Sequence, residues 1–240
     1  MNLINAEGLD FSELNRAIRE CGGECSIRGC LGQRFIASGM NCGTINIDGI
    51  PGNALGAYLS GGRITVNGNA QDAVGDTMND GEIIIHGSVG DAAGYAMRGG
   101  EIFVKGSAGY RAGIHMKEYE EKKPALVIGG RAGSFLGEYQ AGGVIIVLGL
   151  DIGEMPIVGN FPCTGMYGGK MILRGDASHI KFPVKTDVSA ATDGDIAEIA
   201  PYIKKYCELF GAGYDEIISG GFTVVTPDSK NPYKQMYVAN

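Results

Sequence analysis

Glycines recur in this sequence as G-x-x-G-x-x-x-G, a spacing reminiscent of the loops that cradle phosphate groups. The repeats are Gly49, Gly52, Gly56; Gly87, Gly90, Gly94; Gly106, Gly109, Gly113; and Gly130, Gly133, Gly137. A P-loop also needs Lys and Ser or Thr directly after its last glycine, whereas Gly56 is followed by Ala57 and Tyr58. The motif therefore predicts structural glycines and no nucleotide or dinucleotide site.

Cysteine and histidine are the other residue types here that could bind a metal or attack a substrate. The first four cysteines match neither the C-x-x-C pairs of zinc sites nor common ferredoxin spacings: Cys21, Cys25, Cys30 and Cys42. The other two have no histidine near them in sequence: Cys163 and Cys207. No spacing groups the histidines into a ligand set: His86, His115 and His179. We therefore expect no catalytic residue, metal or cofactor in this chain.

The glycines belong to an internal repeat that organises most of the chain. Similar stretches open at positions 43, 62, 81 and 100, so each step is 19 residues, and further copies open at 124, 143 and 169. A unit this short is below the roughly 33 residues of helical repeats. It fits one coil of a parallel β-helix, in which glycines supply positive-φ corners and close stacking. We predict an all-β fold, a single-stranded right-handed parallel β-helix of about seven coils.

Each repeat opens with apolar residues two positions apart, such as Ile64 and Val66 or Ile83 and Ile85. Side chains two apart on a strand share a face, so these pairs should stack inside the solenoid. The residue between them faces outward, and in the later repeats it is apolar: Ile84, Phe103, Val127, Ile146 and Ile172. Either the C-terminal segment folds over this outer column or a partner protein contacts it, so these residues are a candidate interface.

The repeat array divides the chain into three parts. In residues 1–22, Asp10 followed by Glu13 resembles a capping box and predicts a helix that covers the first edge of the solenoid. Residues 23–175 carry the repeats. In residues 176–240, Asp193 or Asp195 can cap a helix and residues 221–227 predict one further strand. We expect this last part to pack on the solenoid or on a partner.

Composition excludes several classes of partner. The net charge is −7, which argues against a nucleic-acid or anionic-membrane surface. The start of the chain lacks the basic and apolar regions of a signal peptide, and the longest strongly apolar run is residues 144–148. We predict a cytoplasmic protein with reduced cysteines.

Three segments carry a resemblance to a known family: residues 69–75, 142–149 and 165–169 are similar to the C-terminal G-x-G-x-G domain of the glutamate synthase large subunit. The similarity spans about residues 23–175, and the tail is similar more loosely. In that family the domain is a right-handed β-helix without catalytic residues, which braces the amidotransferase and FMN-binding synthase domains. The resemblance implies a stand-alone, non-catalytic scaffold subunit of an enzyme that makes glutamate from glutamine and 2-oxoglutarate. FMN and iron–sulfur centres are then expected on the amidotransferase and synthase partner subunits.

Two alternatives remain open. The repeat also resembles the third subunit of formylmethanofuran dehydrogenases, although the tail is more similar to glutamate synthase. The other alternative is a free-standing β-solenoid that binds a small molecule or carbohydrate on a strand face. Such a site would want aromatic rows or paired carboxylates, whereas the outward column is largely aliphatic. The sequence does not decide whether the chain forms a homo-oligomer.

Overall fold

The computed structural model describes residues 2–228. Its strands are β1 Asn2–Asn5, β2 Glu24–Leu31, β3 Thr44–Ile50, β4 Ser60–Asn67, β5 Asp80–Ile85, β6 Glu101–Val104, β7 Ala125–Ile128, β8 Ala141–Val147, β9 Gly168–Arg174, β10 Thr186–Ala190 and β11 Phe222–Pro227. Its helices are α1 Phe11–Glu20, α2 Asp193–Phe210 and α3 Tyr214–Ser219. The strands form one sheet of 11, in the order β1-β2-β3-β4-β5-β6-β7-β8-β9-β11-β10.

Strands β1 to β9 pair in parallel with their neighbours in sequence, which makes a solenoid of about seven turns. The repeat fixes the register, because Ile64 lies opposite Ile45 on one side and Ile83 on the other. Ile83 and Ile85 are fully buried. The predicted parallel solenoid and its stacked pairs of core residues are thus confirmed.

The opposite side of each coil is a series of turns, which we call the turn face. Three residues per coil, spaced two apart, have positive φ there; in one coil they are Phe135 (59°), Gly137 (64°) and Tyr139 (53°). The N–H groups of Phe135 and Tyr139 donate to the following coil, each over 2.8 Å, and that of Gly137 donates to the preceding coil over 2.9 Å. Each coil is therefore bonded to both of its neighbours without a strand on this side.

In two of the motifs, at Gly90 and Gly109, the second glycine is required because a side chain from the preceding coil approaches closely. Asp72 Oδ1 accepts the N–H of Asp91 at 2.9 Å, and Asp91 Oδ1 accepts that of Tyr110 at 2.7 Å. A Cβ on Gly90 would collide with Asp72 Oδ1, and one on Gly109 with Asp91 Oδ1. Glycine at these positions therefore makes room for a polar ladder that ties successive coils together.

The first 22 residues contain more than the predicted helix. The capping box is present, since Asp10 Oδ1 accepts the Glu13 N–H at 2.8 Å and Glu13 Oε2 accepts the Asp10 N–H at 2.9 Å. Leu14 and Ile18 of α1 are buried in the solenoid core. However, β1 pairs with β2. The first edge of the sheet is therefore strand β1, which was not predicted from the sequence.

The described part of the C-terminal tail, residues 176–228, contains the predicted helix and strand. The N-cap of α2 is Thr192, whereas the sequence favoured Asp193 or Asp195; Asp195 instead completes a capping box with Thr192. Strand β11 pairs antiparallel with β9, and β10, which was not predicted, pairs antiparallel with β11. The remainder of the expected tail, residues 229–240, lies outside the described residues.

Candidate partner-binding surface

The outward column that we considered as a candidate interface is buried under the tail. Ile84 is 2 % exposed, and the other four positions are completely buried: Phe103, Val127, Ile146 and Ile172. The last four pack in one cluster with Ile199 and Ile203 of α2, Ile217 of α3, and Phe222 and Val224 of β11. Of the two alternatives, the structure therefore has the tail on this column, and while the tail is in place these four residues belong to the core between solenoid and tail.

Polar contacts from α2 fix the tail on the solenoid. Tyr206 is almost completely buried, and its O–H donates to the Lys105 carbonyl oxygen at 3.1 Å. Lys205 Nζ lies 2.6 Å from carboxylate oxygens of both Glu82 and Glu101. Burial alone would lower the pKa of Lys205, but the Glu101 and Glu82 carboxylates outweigh burial and raise it. Lys205 therefore stays charged between the tail and strands β5 and β6.

A second ion pair joins the start of α2 to β9. Lys170 Nζ lies 2.7 Å from Asp195 and 2.7 Å from Glu198. The Lys170 ammonium, together with hydrogen bonds from Thr192, lowers the pKa of Asp195 to about 2. Asp195 is therefore ionised at neutral pH, where it serves both the capping box and the contact with the solenoid.

Three of the six cysteines lie in the interior. Cys25 and Cys30 are core residues, and burial raises the pKa of each thiol to about 11. Cys163 is fully buried, burial also raises its pKa, and its Sγ lies 3.4 Å from Met171 Sδ. These three thiols are protonated at neutral pH, so none of them is a thiolate nucleophile.

The three histidines lie in three different surroundings. His86 packs edge-on against Phe210 of α2 with ring centroids 5.2 Å apart, His115 lies on the turn face, and His179 lies in the loop after β9. Within residues 2–228, no three or more His, Cys, Asp or Glu side chains are grouped in a way that could hold a metal ion.

No helix in the described part of the chain is long and apolar enough to span a bilayer.

An exposed aromatic surface lies on the turn face of the later coils. Its members, which we call the aromatic strip, are Tyr95, Tyr110, His115, Phe135, Tyr139 and Phe161. In one row the centroid distances are 5.3 Å from Tyr110 to Phe135 and 5.2 Å from Phe135 to Phe161. In the other, His115 stacks on Tyr139 at 5.2 Å with its ring plane tilted by only 10°. Tyr139 is still 43 % exposed and Phe161 62 % exposed.

Arg111 adds a positive charge to the strip. Its guanidinium carbon lies 5.3 Å from the centre of the Tyr110 ring and 5.4 Å from that of Phe135. Its Nε also lies 3.2 Å from Glu138. Exposed aromatic rings combined with arginine are the composition that is enriched at the energetic centres of protein interfaces. Among the surfaces described here, the strip is therefore the best candidate for contact with a protein partner.

The strip was missed at the sequence level although a signal exists. Two of its residues flank the third motif glycine as Phe135-x-Gly137-x-Tyr139, and these positions have positive φ and face solvent. The first flanking position is aromatic in the first coil, at Phe35, and alanine in the next three coils, at Ala54, Ala73 and Ala92. Reading each column separately along the repeat would have shown aromatic residues accumulating toward the C-terminal coils.

These features define the class of protein: a glycine-patterned parallel β-solenoid, closed on one side by a helical tail and presenting an aromatic surface on the other. The family model for the GXGXG motif matches residues 12–228, so this chain belongs to the GXGXG family. It is 43% identical over 251 residues to the uncharacterized protein MJ1350 of Methanocaldococcus jannaschii, a match that covers 98% of this chain and 95% of that protein.

Proposed function

We propose that this chain is a non-catalytic scaffold subunit of a cytoplasmic glutamate-synthase-type enzyme, in which it organises the amidotransferase and FMN-binding synthase subunits. The observation that carries the proposal is the GXGXG match over residues 12–228, because the sequence resembles the glutamate synthase domain of this type. FMN and iron–sulfur clusters are assigned to the partner subunits. No step of the reaction is assigned to a residue of this chain, whose contribution is the geometry of assembly.

The aromatic strip is the proposed contact with these partners. The outer column is occupied by the tail, whereas rings of the strip remain accessible and Arg111 lies among them. Burying such rings against a partner removes a large apolar area from water, and the arginine can bond to partner carboxylates or carbonyls.

We expect the double change Phe135→Ala and Tyr139→Ala to weaken assembly by at least about tenfold, because truncating interface aromatics at energetic centres costs about 2 kcal/mol or more. Tyr58→Ala is the matched control: Tyr58 has positive φ, lies at the position of Tyr139 in an earlier coil, and is 58 % exposed. Light scattering after size-exclusion chromatography of the chain mixed with each partner subunit measures the complexes. Thermal midpoints of the free variants show whether the fold is retained.

Assembly that is unaffected by the double change, or equally impaired by Tyr58→Ala, would remove the strip as the contact. Failure of the wild-type chain to bind either glutamate synthase subunit, together with binding to formylmethanofuran dehydrogenase subunits, would favour that alternative.

The aromatic strip also favours a second candidate function, a free-standing solenoid that binds a small molecule or carbohydrate, since rows of aromatic rings are typical of such sites. Binding of a glycan to the strip without any protein partner would support that candidate.

A further inference from the structure

A cleft lies at the last coil of the solenoid, against the loop that follows β9. Its volume is about 580 Å³, within the roughly 300–1,000 Å³ of pockets that hold small molecules. Val158 and Phe161 of the last coil contribute apolar surface, and Arg131, His179 and Lys181 contribute basic side chains.

Two backbone N–H groups in this cleft lack the acceptor that their counterparts have one coil earlier. The N–H of Ala132 donates to a carbonyl of the next coil over 2.9 Å, and that of Phe135 does so over 2.8 Å. In the last coil, Val158 occupies the position of Ala132, with which it forms an isolated parallel β-bridge. Phe161 occupies the position of Phe135, since their φ angles are 58° and 59°. Among residues 2–228, no acceptor bonds either N–H.

Leaving such a donor unpaired is unfavourable when water cannot reach it. Val158 is only 3 % exposed, and buried backbone N–H groups are almost always hydrogen-bonded. By the geometry of the repeat, both N–H groups face the open end of the solenoid, where the cleft lies. The site therefore presents donors that match an oxygen acceptor.

The ionisable side chains that line this cleft are all basic. The chain as a whole has 27 acidic and 20 basic residues, yet no Asp or Glu lines this cleft. Arg131 is positioned by its Nε, which donates to the Pro156 carbonyl oxygen at 3.1 Å. Within the described part of the chain, no carboxylate forms an ion pair with the three basic side chains. The acid that interacts with His179 is Asp176, which is exposed and accepts the Ser178 N–H at 2.8 Å.

We propose that this cleft binds a small organic anion, whose carboxylate or phosphate oxygens accept the N–H groups of Val158 and Phe161 beside the three basic side chains. The apolar part of the ligand packs on the ring of Phe161, which is the one residue that the cleft shares with the aromatic strip. The site does not depend on the proposed scaffold function.

The test is an NMR titration of the ¹⁵N-labelled chain with phenyl phosphate, and in parallel with phenylacetate, inorganic phosphate and phenol. We expect saturable shifts at the amides of Val158 and Phe161 with an aromatic anion, weaker binding of inorganic phosphate, and no saturable binding of phenol. Binding of either aromatic anion supports the site, and their relative affinities identify the preferred headgroup.

Matched variants test whether the basic side chains of the cleft bind the anion. His179→Gln combined with Lys181→Gln should weaken binding at least tenfold, and because both side chains are exposed, the thermal midpoint should stay unchanged. Arg34→Gln is the control: it removes an exposed charge in the first coil, whereas the cleft lies at the last coil. The affinity of this variant for the anion should equal that of the wild type. Shifts scattered over the surface, phenol binding as tightly as phenyl phosphate, or an unchanged affinity in the double variant would each overturn the proposal.

Discussion

Gly113→Val is expected to lower the free energy of unfolding by roughly 2–6 kcal/mol, the sum of backbone strain and overpacking. Gly113 has φ 66°, a region that a β-branched residue rarely adopts. Even a Cβ at this position would collide with Ile145 Cδ1 and lie 3.2 Å from Ile145 Cγ1. Ile145 is a completely buried core residue, so the interior has no space into which it can retreat.

Gly94→Val is the control that separates the two contributions. Gly94 occupies the same position one coil earlier and has φ 69°, but the nearest atom to its Cβ would be Leu126 Cδ2 at 3.6 Å, an ordinary contact. This variant should lose only the roughly 1–3 kcal/mol of backbone strain. Urea unfolding followed by circular dichroism should give midpoints in the order wild type, Gly94→Val, Gly113→Val. Equal midpoints for all three would mean that these glycines are incidental.

Ile146→Asp is expected to destabilise the fold by several kcal/mol, a large share of the about 5–15 kcal/mol that a typical domain possesses. Ile146 lies opposite Val127 on one neighbouring strand and Ile172 on the other, and it is completely buried beneath the tail. An aspartate there would have to ionise without a partner, remain protonated, or force the tail away from the sheet. Urea unfolding measures the loss, and faster hydrogen exchange in α2 would show that the tail detaches first.

Thr65→Asp is the matched control for this change. Thr65 faces outward at the equivalent position of an earlier coil, opposite Ile84, and is only half-buried. A carboxylate can stay hydrated there, so the loss should be within about 1 kcal/mol. If Ile146→Asp were no more destabilising than Thr65→Asp, the tail would not cover the column in solution, and Ile146 would again be available to a partner.

The solenoid could be predicted from the sequence because its rule is local and repeated. A period of 19 residues, seen in the spacing of Gly43, Gly62 and Gly81, fixes both the register and the inward pairs such as Ile83 and Ile85. Every coil presents the same evidence, so one irregular copy does not obscure the pattern.

The parts that could not be predicted depend on contacts between distant segments. Strand β1 is only four residues long, and its neighbour β2 begins beyond a helix. Strand β10 is largely exposed and has no alternating apolar pattern. At the start of α2, Thr192 precedes two acidic residues that are also good caps in isolation. Thr192 is the N-cap because its Oγ1 accepts the backbone N–H of Asp195 at 3.2 Å.

The candidate surface was predicted only in part. Apolar outward residues such as Phe103 correctly indicated that this face of the sheet is covered. The same pattern is expected whether the tail or a partner protein covers it, so the sequence did not decide between them. The structure decides for the tail, because Ile199, Ile203 and Tyr206 of α2 are buried in one cluster with the column. The aromatic residues of the strip can be read from the columns of the repeat, but the contacts between their rings depend on the stacking of the coils, which places the Phe135 and Phe161 centroids 5.2 Å apart.

Reconstitution of glutamine-dependent glutamate formation from separately purified subunits tests the central claim most directly. Amidotransferase and FMN-synthase subunits are assayed with glutamine, 2-oxoglutarate and a reductant, with and without this chain. We predict no turnover and no bound flavin for the chain alone, and at least a tenfold higher rate for the three components together than for the two partners without it. Turnover or flavin in the isolated chain, or partners that are fully active without it, would contradict the scaffold function.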